Sequence, residues 1–87
     1  MIKIISLRPL AHPTIELHFS DGSRGIWSAA DIIARETVLT QPLADPAYFA
    51  RGFIESGALA WPNGLELAGH TLHADLKACG QLENRAA

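Results

Sequence analysis

One segment near the start of the chain, residues 14–23, limits the fold more than any other part of the sequence. In residues 14–19, TIELHF, polar and apolar side chains alternate, which is typical of a β-strand with one buried face. The pair Asp21-Gly22 follows almost at once. An Asp-Gly pair between two strand-like segments predicts a tight hairpin, because glycine adopts a positive φ without a Cβ clash.

The segments on either side of this hairpin extend the predicted sheet. Residues 2–8 are rich in isoleucine, and β-branched side chains fit a pleated strand better than a helix. Residues 24–28 contain Ile26 and Trp27 and form the returning arm of the hairpin. We therefore expect a three-stranded antiparallel meander over residues 2–28.

Two short helices are predicted after the meander. The first covers residues 29–36, with Ser28 as its capping residue. The second begins at Asp45, a favourable N-cap, with Pro46 at the first helical position, and it ends at Gly52. Both start signals are local, so they predict where a helix begins better than how long it is.

The last third of the chain predicts a β-hairpin and a terminal helix. Strand-like residues 53–56 and 58–61 flank Gly57, and Pro62 breaks the second strand. Residues 70–79 fit a short helix that stops at a glycine. The predicted fold is one α+β domain over residues 1–80, with residues 81–87 as a disordered tail.

Composition excludes several classes of protein. Of the 87 residues only 18% are charged and 48% are hydrophobic, which is unlike a disordered chain. The formal net charge is −2 and the cations are scattered singly, so binding to bare nucleic acid is not favoured. The single cysteine, Cys79, excludes an internal disulfide, and no apolar run approaches the roughly 18 residues of a membrane span. These features predict a cytoplasmic protein.

Three short motifs together suggest a family. They are Phe19-Ser20-Asp21-Gly22-Ser23, then Leu43-Ala44-Asp45-Pro46 with Phe49, then Trp61-Pro62-Asn63-Gly64. The chain resembles, over residues 1 to about 75, the small prokaryotic family known as domain of unknown function 2442. It departs from that pattern at Glu66, where aspartate is more usual, and at His73, which replaces a tyrosine.

The resemblance implies a compact α+β domain with no established enzymatic activity. It also implies a partner: members look like companions of small ribonuclease-like or toxin-like proteins in bacterial gene pairs. We therefore expect a non-catalytic protein-interaction module, an antitoxin-like partner of a small toxin, with no cofactor. It would hold its partner through a sheet edge and the loop that follows Trp61, and self-association remains open.

The candidate partner-binding residues lie in that loop. They are Trp61, Asn63, Gly64 and Glu66, which a rigid turn would present to another protein. Other residues in the motifs have structural roles instead of chemical ones. Asp21, Gly22, Asp45, Pro46 and Pro62 suit turns and caps, and no residue is predicted to be catalytic or to bind a metal.

Two alternative functions stay open. His70 and His73 are three residues apart, so a helix would place them on one face, where a metal-dependent enzyme could be built with nearby carboxylates. No HExxH motif or pair of cysteines supports that reading. A regulator that binds its own promoter is the other alternative.

Overall fold

The computed structural model describes residues 1–84 and shows a mixed α+β protein, as the sequence predicts. Its elements in chain order are β1 (Ile4–Pro9), β2 (Thr14–Phe19), β3 (Ser23–Ser28), α1 (Ala30–Ala34), a 3₁₀-helix (Gln41–Ala44), α2 (Pro46–Phe49), β4 (Phe53–Glu55), β5 (Ala58–Ala60), β6 (Glu66–Leu67), α3 (Gly69–Ala78) and β7 (Leu82–Asn84).

The predicted meander forms the first sheet. Its strand order is β1-β2-β3-β7 and all neighbours are antiparallel. The predicted hairpin turn is confirmed: Gly22 has φ 88°, and its amide donates to the carbonyl of Phe19 over 3.1 Å. Strand β1 has an irregular register between Ile4 and Ser6, and the extra residue, Ile5, is 63% exposed.

The helix starts agree with the sequence, although the helices are short. The Oδ1 atom of Asp45 accepts a hydrogen bond from the amide of Ala47 over 3.0 Å, and Pro46 occupies the first turn, so the predicted N-cap is confirmed. At α1 the N-cap residue is Ala29, one position after the predicted Ser28, although the hydroxyl of Ser28 still accepts from the amide of Ala30 over 3.2 Å. Helix α1 ends at Ala34, earlier than predicted.

The predicted C-terminal hairpin is present as β4 and β5. A third strand, β6, pairs with β5, and in it Leu67 lies opposite Leu59. This second sheet is connected to the first where the amide of Ile4 donates to the carbonyl of Gly57 over 2.9 Å. Helix α3 matches the predicted terminal helix to within one residue at each end and buries Leu72 and Leu76.

The largest difference between the structure and the prediction lies at residues 82–84, within the segment predicted to be a disordered tail. Residues Leu82–Asn84 form β7 and pair with Ser23–Gly25 of β3, so the expectation of disorder is wrong for this segment. Gly25 permits the close approach: an added Cβ there would lie 2.8 Å from the carbonyl oxygen of Gln81. Residues 85–87 of the expected tail lie outside the described residues.

One hydrophobic core includes side chains from both sheets and from α2 and α3. Its largest fully buried members are Trp61, Phe19, Ile4, Ile15, Leu17, Leu43 and Leu59. One face of the first sheet packs against this core, whereas the other carries Glu16, His18 and Arg24 together with the exposed side chain of Ile26. Within residues 1–84, none of the helices combines the length and apolar character that a bilayer crossing requires.

Candidate partner-binding surface

The tetrapeptide loop at residues 61–64 begins with a core residue. Trp61 is only 1% exposed, and its indole Nε1 donates a buried hydrogen bond of 3.0 Å to the carbonyl of Phe49. An added Cβ at Gly52 would lie 3.2 Å from the indole ring, so the chain packs closely over it. The prediction that Trp61 presents an edge to a partner is therefore wrong, because packing and its hydrogen bond fix the ring inside.

The next two predicted residues are exposed, but their roles differ. The backbone amide of Asn63 donates to the hydroxyl of Tyr48 over 3.0 Å, and its side-chain Nδ2 donates to the carbonyl of Leu39 over 3.0 Å. Its Oδ1 accepts from the amide of Leu65 over 3.1 Å. Asn63 thus uses both ends of its side chain inside the molecule. Gly64 supplies the positive φ, 95°, that the turn requires.

The bond from Asn63 brings a second loop, residues 37–40, against the first. Thr37 and Thr40 hold this loop: their hydroxyls lie 2.8 Å apart, and each hydroxyl also accepts from the other residue's amide. Between them Val38 is 87% exposed and Leu39 is 42% exposed. Two large apolar side chains therefore stand in water on a loop that several hydrogen bonds hold in place.

We call the four exposed residues Val38, Leu39, Pro62 and Asn63 the loop patch. Tyr48, half-buried, borders it through its bond to Asn63, and the guanidinium of Arg51 lies 5.9 Å from the centre of the Tyr48 ring. Sequence analysis missed Val38 and Leu39, because nothing in their local pattern shows that two distant loops meet.

Glu66, the fourth predicted residue, lies on β6 opposite Ala60 and is exposed. Within residues 1–84 its carboxylate has no ion pair. It therefore stands as a single free negative charge two residues beyond the tetrapeptide.

The histidines do not form a common site. His12 donates from Nε2 to the carbonyl of Leu43 over 2.8 Å, and His18 lies 3.6 Å from Glu16. His73 donates from Nε2 to Asp21 Oδ2 over 2.9 Å, whereas His70 is exposed on the same helix. Across the part of the chain that the structure describes, no three His, Cys, Asp or Glu side chains converge as metal ligands would.

Asp21 has a larger structural role than its turn position predicts. Its Oδ1 accepts from the hydroxyl of Ser23 over 2.5 Å and from the amide of Ser23 over 2.9 Å. These two bonds and the contact with His73 lower the pKa of Asp21 from 3.8 to about 2. The ring of His73 also packs edge-on against Phe19, with centroids 5.1 Å apart. The contacts among Asp21, Ser23, His73 and Phe19 hold α3 against the hairpin formed by β2 and β3.

A small cavity of about 300 Å³ adjoins this cluster, between Lys77 and Leu82. The buried hydroxyl of Ser23, 3% exposed as a residue, donates to a carboxylate and not to a histidine. A serine nucleophile needs a neighbouring base that takes its proton, so this arrangement fits structural support better than acyl transfer.

Charged side chains on the outer face of the first sheet form ion pairs with one another. Arg8 Nη2 lies 2.9 Å from Glu16 Oε1, and this bond lowers the pKa of Glu16. Arg24 Nη2 lies 4.0 Å from Glu83. Two of the cations that a nucleic-acid surface would need are therefore already matched by carboxylates.

No protein-family model, curated protein or solved structure matches the chain.

Proposed function

We propose that this protein is a non-catalytic protein-interaction module whose partner contacts the loop patch. The observation that carries the proposal is the pair Val38 and Leu39, 87% and 42% exposed, on a loop held by hydrogen bonds from Thr37, Thr40 and Asn63. Single exposed apolar residues are ordinary on protein surfaces. Two adjacent exposed apolar side chains on a loop fixed by hydrogen bonds are suited to burial in an interface with a partner.

The fixed loop favours binding because less conformational freedom is lost on association. Burying the two side chains in an interface would contribute about 2–4 kcal/mol from apolar area alone. Nothing in the fold of residues 1–84 uses the Val38 side chain, which is nearly as exposed as in an extended chain.

The residues around the patch suit a protein partner. Tyrosine and arginine are enriched at the energetically important positions of interfaces, and Tyr48 with Arg51 lies at the border of the loop patch. Glu66 would add a rim charge that steers a partner with a basic surface. The combination resembles an interface with an apolar centre and a polar rim.

We propose further that the partner is a small protein encoded by the neighbouring gene, such as a toxin, which the protein would hold in an inactive complex. The sequence resemblance to domain of unknown function 2442 supports this partner. The non-catalytic interpretation is supported by the structural bonds of the groups that could do chemistry: Ser23 and His73 each bond to Asp21.

Co-expression with the neighbouring gene product tests the proposal. We expect one peak of the summed mass in size-exclusion chromatography with light scattering for the wild type. Val38→Asp should separate the two proteins, because it puts a charge at the centre of the loop patch. Ile5→Asp is the matched control: Ile5 is 63% exposed on β1, outside the patch. Separate elution of the wild-type proteins at micromolar concentration would refute the proposal.

A further inference from the structure

Strand β3 has an edge that β7 covers only in part. β7 pairs with Ser23–Gly25, but β3 continues to Ser28. Within residues 1–84, no strand lies beside Ile26–Ser28 on that side. The chain cannot extend β7 to fill the space, because Gly80, with φ 73°, turns it out of α3 just before β7 begins. The sheet therefore ends in a half-open edge.

A groove lies along this half-open edge, between α1 and α3, with a volume of about 600 Å³. That volume falls in the range of sites that hold a small ligand or a few peptide residues. Its apolar wall includes Trp27, Ile32 and Leu76. Ile26, 49% exposed, stands at its edge. Among residues 1–84, the groove thus combines a strand edge that no other strand covers with apolar surface.

Two carboxylates lie on opposite sides of the groove. Asp31 belongs to α1 and Asp75 to α3, and both are exposed. Neither carboxylate forms an ion pair with any of residues 1–84. In the part of the chain that the structure describes, Arg35 is the one cation that lines the groove. With two negative charges and one positive charge, the groove has an excess negative charge and is complementary to a basic group.

We propose that this groove binds an extended segment of another protein that carries a lysine or arginine. The segment adds a short strand beside Ile26–Ser28, so its backbone bonds to the half-open edge. Its basic side chain pairs with Asp75 and Asp31, while an apolar neighbour packs on Trp27. The site is separate from the loop patch, and the proposal does not depend on binding there.

Titration of a peptide into the full ¹⁵N-labelled chain tests the proposal by NMR. The probe is a capped hexapeptide, Val-Thr-Lys-Val-Thr-Val. We expect the amide signals of Ile26–Ser28 to shift, and we expect the same peptide with glutamate in place of lysine to bind about tenfold more weakly. A peptide N-methylated at alternate residues, on the side that faces β3, should not bind, because it lacks the backbone donors.

Two variants on α3 distinguish the effect of a charge inside the groove from the effect of the protein's net charge. Asp75→Lys should weaken the lysine peptide about tenfold or more, whereas His70→Lys, exposed on the same helix but outside the groove, should not change it. Well-dispersed spectra of both variants show that they fold. The proposal is overturned if Ile26–Ser28 do not shift at millimolar peptide, or if the N-methylated peptide binds equally well. Shifts confined to Val38 and Leu39 would also overturn it, while leaving the loop patch as a binding surface.

Discussion

The side-chain nitrogen of Asn63 donates a 3.0 Å hydrogen bond to the carbonyl oxygen of Leu39, a residue 24 positions earlier in the chain. This bond ties the tetrapeptide loop to the loop that exposes Val38. The threonine bonds and the bond from the amide of Gln41 to the carbonyl of Thr37 hold the loop itself, and the Asn63 bond sets its position against the tetrapeptide loop. Asn63 therefore positions the proposed binding surface, and its own amide is not free to reach a partner.

Replacing Asn63 by alanine tests this role. Asn63→Ala removes the bonds to Leu39 and Leu65, so we expect a loss of about 1–2 kcal/mol in the free energy of unfolding by urea. The amides of Thr37 and Thr40, which are hydrogen-bonded in the native loop, should exchange with deuterium faster. Asn63→Asp keeps an acceptor for Leu65 and should lose about half as much stability. Unchanged stability in Asn63→Ala would contradict the role given to this side chain.

Trp61 should behave as a core residue. Trp61→Phe removes buried volume and leaves the Phe49 carbonyl without its 3.0 Å donor, so we expect a loss of about 2–4 kcal/mol in unfolding free energy. Trp27→Phe is the matched control, because Trp27 is also buried and its indole has no hydrogen bond within residues 1–84. The difference between the two losses measures the bond. Equal losses would show that the hydrogen bond from Trp61 to Phe49 contributes little to the free energy of unfolding.

The charge of Asp21 should make stability depend on pH in a defined range. Its pKa is about 2 in the folded protein against an ordinary 3.8, so the stabilisation is present above pH 3.8 and is lost as the pH falls toward 2. Since its side chain is 37% exposed, we expect about 1 kcal/mol at neutral pH. Asp21→Asn should be less stable by that amount at pH 7, and urea unfolding at pH 7, 4 and 3 should show the difference narrowing. A constant difference would contradict this assignment.

Gly25 should be required for β7. An alanine there would bring Cβ to 2.8 Å from the Gln81 carbonyl and 3.0 Å from Leu76, so we expect Gly25→Ala to cost about 1–3 kcal/mol. Hydrogen exchange should show faster exchange in residues 82–84. Ser6→Ala, at an exposed position of β1, serves as the control and should leave β7 protected. Unchanged exchange in Gly25→Ala would mean that the close approach is not needed.

The parts of the fold that the sequence predicts correctly depend on neighbouring residues. Residues within four or five positions determine the hairpin at Asp21-Gly22 and the cap at Asp45-Pro46, so the sequence alone predicts both. Strand β7 has no such signal: three residues without alternation pair with β3 only because Gly25 leaves room.

The candidate site depends on contacts between distant residues, which local patterns do not reveal. Trp61 suits a core and an interface equally well by its chemistry, and only its bond to Phe49, 12 positions away, decides between them. His73 and Asp21 are 52 positions apart, so the three-residue spacing of His70 and His73 gives no sign that His73 bonds to Asp21. Val38 and Leu39 gain their importance only from the bond to Asn63.

Hydrogen–deuterium exchange on the complex with the neighbouring gene product tests the central claim most directly. The claim is that the partner contacts the loop patch. We predict slower exchange on complex formation at residues 37–40 and at Asn63. The backbone amides of β1 and β2, whose charged side chains face away from the core, should exchange at an unchanged rate. Unchanged exchange at residues 37–40 in a complex that demonstrably forms would contradict the claim.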